Sequence, residues 1–264
     1  MRLERDVFGD DEGGGGTALL VAHGLLGAAR NWGALARRMA RSRRVVAVDM
    51  RNHGRSGWSD DVGYPAMAED LARVVEEECG GRADVLGHSM GGKAAMALAL
   101  TRPETISRLI VADIAPVAYT HSHTDTLEAM AELDLSVVTR RSDADAQLAA
   151  KVPDAGLRSF VLQNLALTPE GARWRPNIAA LRAGHASLVG WPEELSDLPD
   201  GALYFGDALF LRGARSDYVD GAALPAVEAL FPAARVETLA DAGHWLHADQ
   251  PGPFLAAVER FLDG

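Results

Sequence analysis

Short apolar runs of the kind buried strands use alternate along this chain with stretches whose apolar residues recur every three to four positions. Residues 17–22, 44–49, 83–87 and 108–113 read as buried strands. Helical spacing fills the gaps: Trp32, Leu35, Ala36 and Met39 within 31–40; Met67, Leu71, Val74 and Val75 within 65–78; and small residues across 92–101. From about Val117 to Asp200 no strand is read. Helical stretches at 127–135, 144–151, 157–167 and 176–183 stand there instead, punctuated by Pro153, Pro169, Pro192 and Pro199. The alternation resumes with a strand at 208–211, a helix at 225–231, a strand at 235–239 and a helix at 253–262. This rhythm predicts an α/β fold with a mostly parallel central sheet flanked by helices. Residues 1–116 and 201–264 would form the core, and 117–200 a helical cap inserted between two strands.

Composition narrows the partners. With 264 residues and a formal net charge of -11, the surface should repel nucleic acid and anionic headgroups. The basic cluster Arg37, Arg38, Arg41, Arg43 and Arg44 reads as a helix end, where cations suit the dipole. No run approaches the ~20 apolar residues of a membrane span. The charged start, Met1 to Asp6, is unlike a secretory signal. A single cysteine, Cys79, excludes an internal disulfide and points to a reducing compartment, the cytoplasm; it reads as a half-buried helix-end residue. Whether the chain is a monomer or a homodimer is left open.

Gly87-His88-Ser89-Met90-Gly91 matches G-x-S-x-G directly after a strand and before a helix, the setting in which a strained turn lifts a nucleophilic serine clear of a sheet. Residues 87–93 also spell G-x-x-x-x-G-K, but Ala94 stands where a phosphate loop needs a metal-binding hydroxyl. His23-Gly24-Leu25-Leu26-Gly27 follows the first strand. Its Leu25 amide and that of Met90 are placed to form an oxyanion hole, with His23 orienting the loop at the edge of the substrate region. His244, on the Gly-bearing loop Asp241-Ala242-Gly243-His244-Trp245, is the candidate base; His88 is expected to point away and His247 to face solvent. Two aspartates compete for the acid. Asp217 lies where most members of such a fold carry it, but the usual slot three residues past Gly213 is Ser216. The spacing therefore favours Asp113, with Ser216 as a further hydrogen-bond partner. A triad in the chain order Ser, Asp, His is that of an α/β-hydrolase. It needs neither a metal nor an organic cofactor.

With these residues in place the chain resembles the YbfF-type bacterial esterases and their mitochondrial hydrolase relatives. The shared stretches are His23 to Gly27 with Arg30-Asn31-Trp32, Asp49-Met50-Arg51-Asn52-His53-Gly54-Arg55-Ser56, residues 87–93, Asp113-Ile114-Ala115-Pro116-Val117 and Gly243-His244-Trp245-Leu246-His247-Ala248. The resemblance implies a serine esterase acting on small-molecule acyl esters and acyl-CoA thioesters beneath a helical lid. It also implies Asp113 as the acid, Ser216 as a fourth member and Tyr218 as a substrate-holding residue. Where the family carries a basic residue early in the lid, this chain offers His121 or His123. A C–C bond hydrolase or lyase, a perhydrolase or acyltransferase, and a non-catalytic ligand-binding protein of the same fold are the alternatives.

Overall fold

Alternation of side chains along each strand builds the architecture. In the computed structural model, which describes residues 1–9, 15–120, 124–196 and 203–264, Leu20 and Ala22 face one apolar layer while Leu19 and Val21 face the other. Val46 and Val48 oppose Val45 and Ala47 in the same way, as Leu109 and Val111 oppose Ile110 and Ala112. Strands buried on both faces need helices on both faces.

The core strands are β1 (Arg5–Phe8), β2 (Gly16–Ala22), β3 (Arg43–Val48), β4 (Ala83–His88) and β5 (Ile106–Ala112). The intervening helices are α1 (Gly33–Met39), α2 (Tyr64–Glu78) and α3 (Met90–Thr101). An inserted segment then carries α4 (Thr124–Glu132), α5 (Arg141–Leu148) and α6 (Ala155–Leu162), a hairpin of β6 (Leu165–Thr168) and β7 (Gly171–Trp174), and the short helices α7 (Ile178–Ala183), α8 (His185–Val189) and α9 (Glu193–Ser196). The chain returns to the sheet as β8 (Ala208–Gly213), α10 (Leu224–Leu230), β9 (Ala234–Leu239), α11 (Leu246–Asp249) and α12 (Pro251–Asp263).

Among the described residues the main sheet runs β1-β3-β2-β4-β5-β8-β9, with only β1 antiparallel to its neighbour. Helices α2 and α3 and the inserted segment share the apolar layer on one face, while α1 and α12 cover the other. Because β3 lies on one side of β2 and β4 on the other, the connections diverge at the carboxyl ends of β2 and β4. That divergence opens the crevice in which open α/β sheets bind ligands.

Two readings of the pattern are corrected. The edge strand β1 goes unread in Arg-Asp-Val-Phe, whose charged residues suit an edge. Residues 117–200 are not all helical: α6 stops at Leu162, and Leu165–Thr168 turns through Pro169, Glu170 and Gly171 (φ +126°) into an antiparallel partner. No helix among the described residues is long and apolar enough to cross a membrane.

The elbow after β4 is where backbone crowding is greatest. A Cβ on Gly91 would run into the Ala22 and His23 carbonyls, and one on Gly87 into the Gly91 carbonyl. Gly91→Ala is therefore expected to lower the urea-unfolding free energy by about 1–3 kcal/mol. Gly221→Ala, where a Cβ meets open space, should stay within about 0.5 kcal/mol of the parent.

Candidate active site

Ser89 sits between β4 and α3 with φ 51° and ψ -119°, a conformation that L-residues rarely adopt and that costs about 1–3 kcal/mol. The sheet ladder runs on past its strands to hold it: Ser89 N donates to Ala112 O (3.0 Å) and Asp113 N donates to Leu211 O (2.8 Å). The strand ends of β4, β5 and β8 thus deliver Ser89, Asp113 and the turn after Gly213 side by side.

His244 bridges them. Its Nε2 lies 3.0 Å from Ser89 Oγ, and its Nδ1 lies 2.8 Å from Asp113 Oδ2. Asp113 is 0% exposed and holds a left-handed φ of 52°. Its Oδ1 accepts from Gly213 N (2.9 Å), and its Oδ2 also accepts from the Ser216 hydroxyl. A buried carboxylate needs such donors to remain ionised. Asp217, the rival acid, is exposed. Tyr218 stacks on the His244 ring with centroids 3.9 Å apart. His121 and His123 lie outside the described residues.

The loop after β2 is held just as closely. Leu26 N donates to His53 Nε2 (3.1 Å) and Gly27 N to Gly24 O (2.9 Å), with the Leu25 amide between these anchored neighbours. Met90 opens α3, so its amide has no intrahelical carbonyl to take it.

A family model described as alpha/beta hydrolase fold matches residues 17–251. The chain belongs to that family. This hydrolase is 38% identical over 253 residues to the sn-1-specific diacylglycerol lipase ABHD11 of Mus musculus, covering 93% of this chain and 80% of the relative. It is 35% identical over 246 residues to esterase YbfF of Escherichia coli strain K12, covering 93% and 92%. A solved structure of a marine microorganism esterase superposes with a TM-score of 0.91 at 32% identity, covering 99% of both chains.

The pattern of the hydrolase's sequence reads His23 as the residue that orients the loop, but leaves the contacts of His53, His88 and His247 unread. His23 Nδ1 donates to Gly24 O (2.7 Å) while its Nε2 accepts from Met50 N (2.9 Å). At 1% exposure, with both nitrogens taken by main chain, His23 holds the loop instead of offering a nitrogen to substrate. His53 is fixed alike, donating from Nδ1 to Arg51 O (2.8 Å) and accepting at Nε2. His88 does not turn away from the site: it reaches the carbonyl of His244 (2.8 Å) and steadies the loop that carries the imidazole. His247 stacks on Trp32 with centroids 4.4 Å apart instead of facing solvent, and burial pushes its pKa down to about 4. The stretch from Asp49 to Ser56 contains the signal for His53, but only the fold brings it under Leu26. Asp49 pins that stretch, accepting from Ala29 N (2.8 Å) and from Arg55 N and Nε (both 3.0 Å).

Burial lowers the pKa of His23 to about 4 and that of His53 to about 3. Each Nε2 must stay unprotonated to accept its amide. An unfolded imidazole takes its proton near pH 6.5, so between about pH 6.5 and 4 the unfolded state binds more protons than the folded one. The stability these residues confer is complete above pH 6.5 and is lost as pH falls. Urea unfolding at pH 5 should show about 2 kcal/mol less stability for His23 alone than at pH 7.5; an unchanged midpoint would refute the neutral tautomers.

Proposed function

We propose that this carboxylic ester hydrolase works through an acyl-enzyme on Ser89. The observation that carries the reading is the continuous hydrogen-bonded path from Ser89 Oγ through His244 to Asp113, at 3.0 and 2.8 Å.

His244 Nε2 takes the Ser89 proton as Oγ attacks the ester carbonyl. The carbonyl π electrons move to oxygen, and the Leu25 and Met90 amides hold the resulting oxyanion. Asp113 stabilises the imidazolium without taking its proton, and Ser216 and Gly213 N hold that carboxylate aimed at the imidazole. The tetrahedral intermediate collapses by breaking the bond to the alcohol oxygen, which leaves with the proton from His244. Water then repeats the cycle: His244 accepts its proton, hydroxide adds to the acyl carbon, and Ser89 Oγ leaves and is reprotonated. The same machinery opens an acyl thioester, whose thiol departs in place of the alcohol. Residues 117–200 serve as the cap over this edge, and Tyr218, packed on the imidazole, lies beside the incoming acyl group.

Ser89→Ala should retain the fold by circular dichroism, lose p-nitrophenyl acetate turnover by at least roughly 10⁴-fold and take no fluorophosphonate label. Asp113→Asn should lose about 10⁴-fold in kcat, whereas Asp217→Asn should stay within about threefold. A larger loss in Asp217→Asn than in Asp113→Asn would reassign the acid.

A further inference from the structure

Two recesses meet at Ser89. One, of about 40 Å³, is lined by His23, Trp32 and His244 and shares Leu157, Phe160, Trp245 and His247 with a cleft of about 590 Å³ alongside α1 and α6. The other, also about 40 Å³, lies past Met90 and is walled by Tyr64, Ile114, Tyr119, Leu188, Val189 and Tyr218. Among the described residues it shares no wall with the cleft.

Proton transfer tells the two recesses apart. The leaving oxygen must take its proton from His244 Nε2, so the leaving group lies on the side lined by His244. The second recess is screened from the imidazole by the stacked Tyr218 ring. We propose that this second recess is the acyl subsite and that its walls restrict the enzyme to short acyl groups, while the leaving group extends into the large cleft. The proposal rests on the acyl-enzyme reading above.

This recess is about 40 Å³ against about 590 Å³ for the cleft, so it takes a far smaller group. The walls are tied in place. Tyr64 OH donates to Leu188 O (2.6 Å); Tyr119 OH accepts from Ala115 N (2.8 Å) and donates to Tyr218 O (2.6 Å). Lys93 also lines the recess; its Nζ donates to the carbonyls of Val117 (2.8 Å), Val189 (2.9 Å) and Gly190 (2.6 Å), and lies 4.7 Å from the Tyr119 ring centroid. An ammonium has three hydrogens, and three carbonyls take them. Lys93 therefore offers the recess no free donor. The large cleft, in contrast, carries Asn31, Arg38 and Gln163 beside its apolar wall and suits a bulky or amphipathic leaving group.

The test is a pair of ester series on the full chain, one lengthening the acyl group on p-nitrophenol from acetate to octanoate, the other enlarging the alcohol on acetate up to 2-naphthol. We expect kcat/KM to fall at least about tenfold from butyrate to octanoate, and 2-naphthyl acetate to stay within about threefold of p-nitrophenyl acetate. Leu188→Ala should raise the octanoate-to-acetate ratio about tenfold or more, and Phe160→Ala, on the cleft side, should leave that ratio unmoved. Wild-type enzyme that turns over octanoate as well as acetate overturns the subsite, as does a folded Leu188→Ala with an unchanged ratio. If that variant does not fold, the wild-type series decides alone. Fluorophosphonate labelling of Ser89 separates the two levels: a labelled enzyme with the wrong chain-length profile refutes only the subsite, whereas an unlabelled wild type with no turnover refutes the mechanism beneath it.

Discussion

A carboxylate fully withdrawn from water at the end of β5 is the constraint around which the rest of the active-site edge is arranged. Burying Asp113 as a charge would be prohibitive without donors, and three elements each supply one: β8 through Gly213 N, the turn after it through Ser216, and the loop after β9 through His244. Each donor arrives only if β4, β5 and β8 keep their register. A slip of one residue would turn Asp113 toward the opposite face and leave the imidazole unoriented. The strained φ/ψ of Ser89 and Asp113 are sustained by the same ladder, which continues past the strand ends to hold their backbone amides.

The loops beside the site are held by imidazoles kept neutral. His23 and His53 are buried and His247 is half-buried, all with depressed pKa values, and His88 is pushed well below the ordinary histidine value by burial and by neighbouring imidazoles. Neutrality is what lets His23 and His53 donate from one nitrogen and accept at the other, so each can clamp two loop segments at once. The loop carrying Leu25 is thus held from beneath by residues in the segment after β3, far from it in sequence.

Lys93 does comparable work on the other side of Ser89. One turn into α3, it crosses to the carbonyls at both ends of the described inserted segment near the site, Val117 and Val189–Gly190. Burial draws its pKa down to about 7, and the three carbonyls and the Tyr119 ring are the groups that favour its charged form. The helix that follows Ser89 therefore sets the height of the inserted segment over the sheet.

The parallel strands, the flanking helices, Ser89 and His244 were legible in the sequence because each is a local pattern: apolar runs, a 3.6-residue stripe, a glycine-flanked serine between strand and helix. Asp113 was preferred over Asp217 on spacing, its place at a strand end and the family resemblance, and the fold places it against His244. The β6–β7 hairpin was hidden because Phe160, Val161, Leu165 and Leu167 also satisfy a helical period; pairing with residues 171–174 decided it. His88, His53 and Lys93 carried no local mark of their long-range contacts, to His244, Leu26 and Val117, which span 24 to 156 residues. Periodicity and turn chemistry act over a few residues and are written in the chain itself, whereas the state of a buried histidine or lysine depends on which distant carbonyl or amide the packed fold brings within reach.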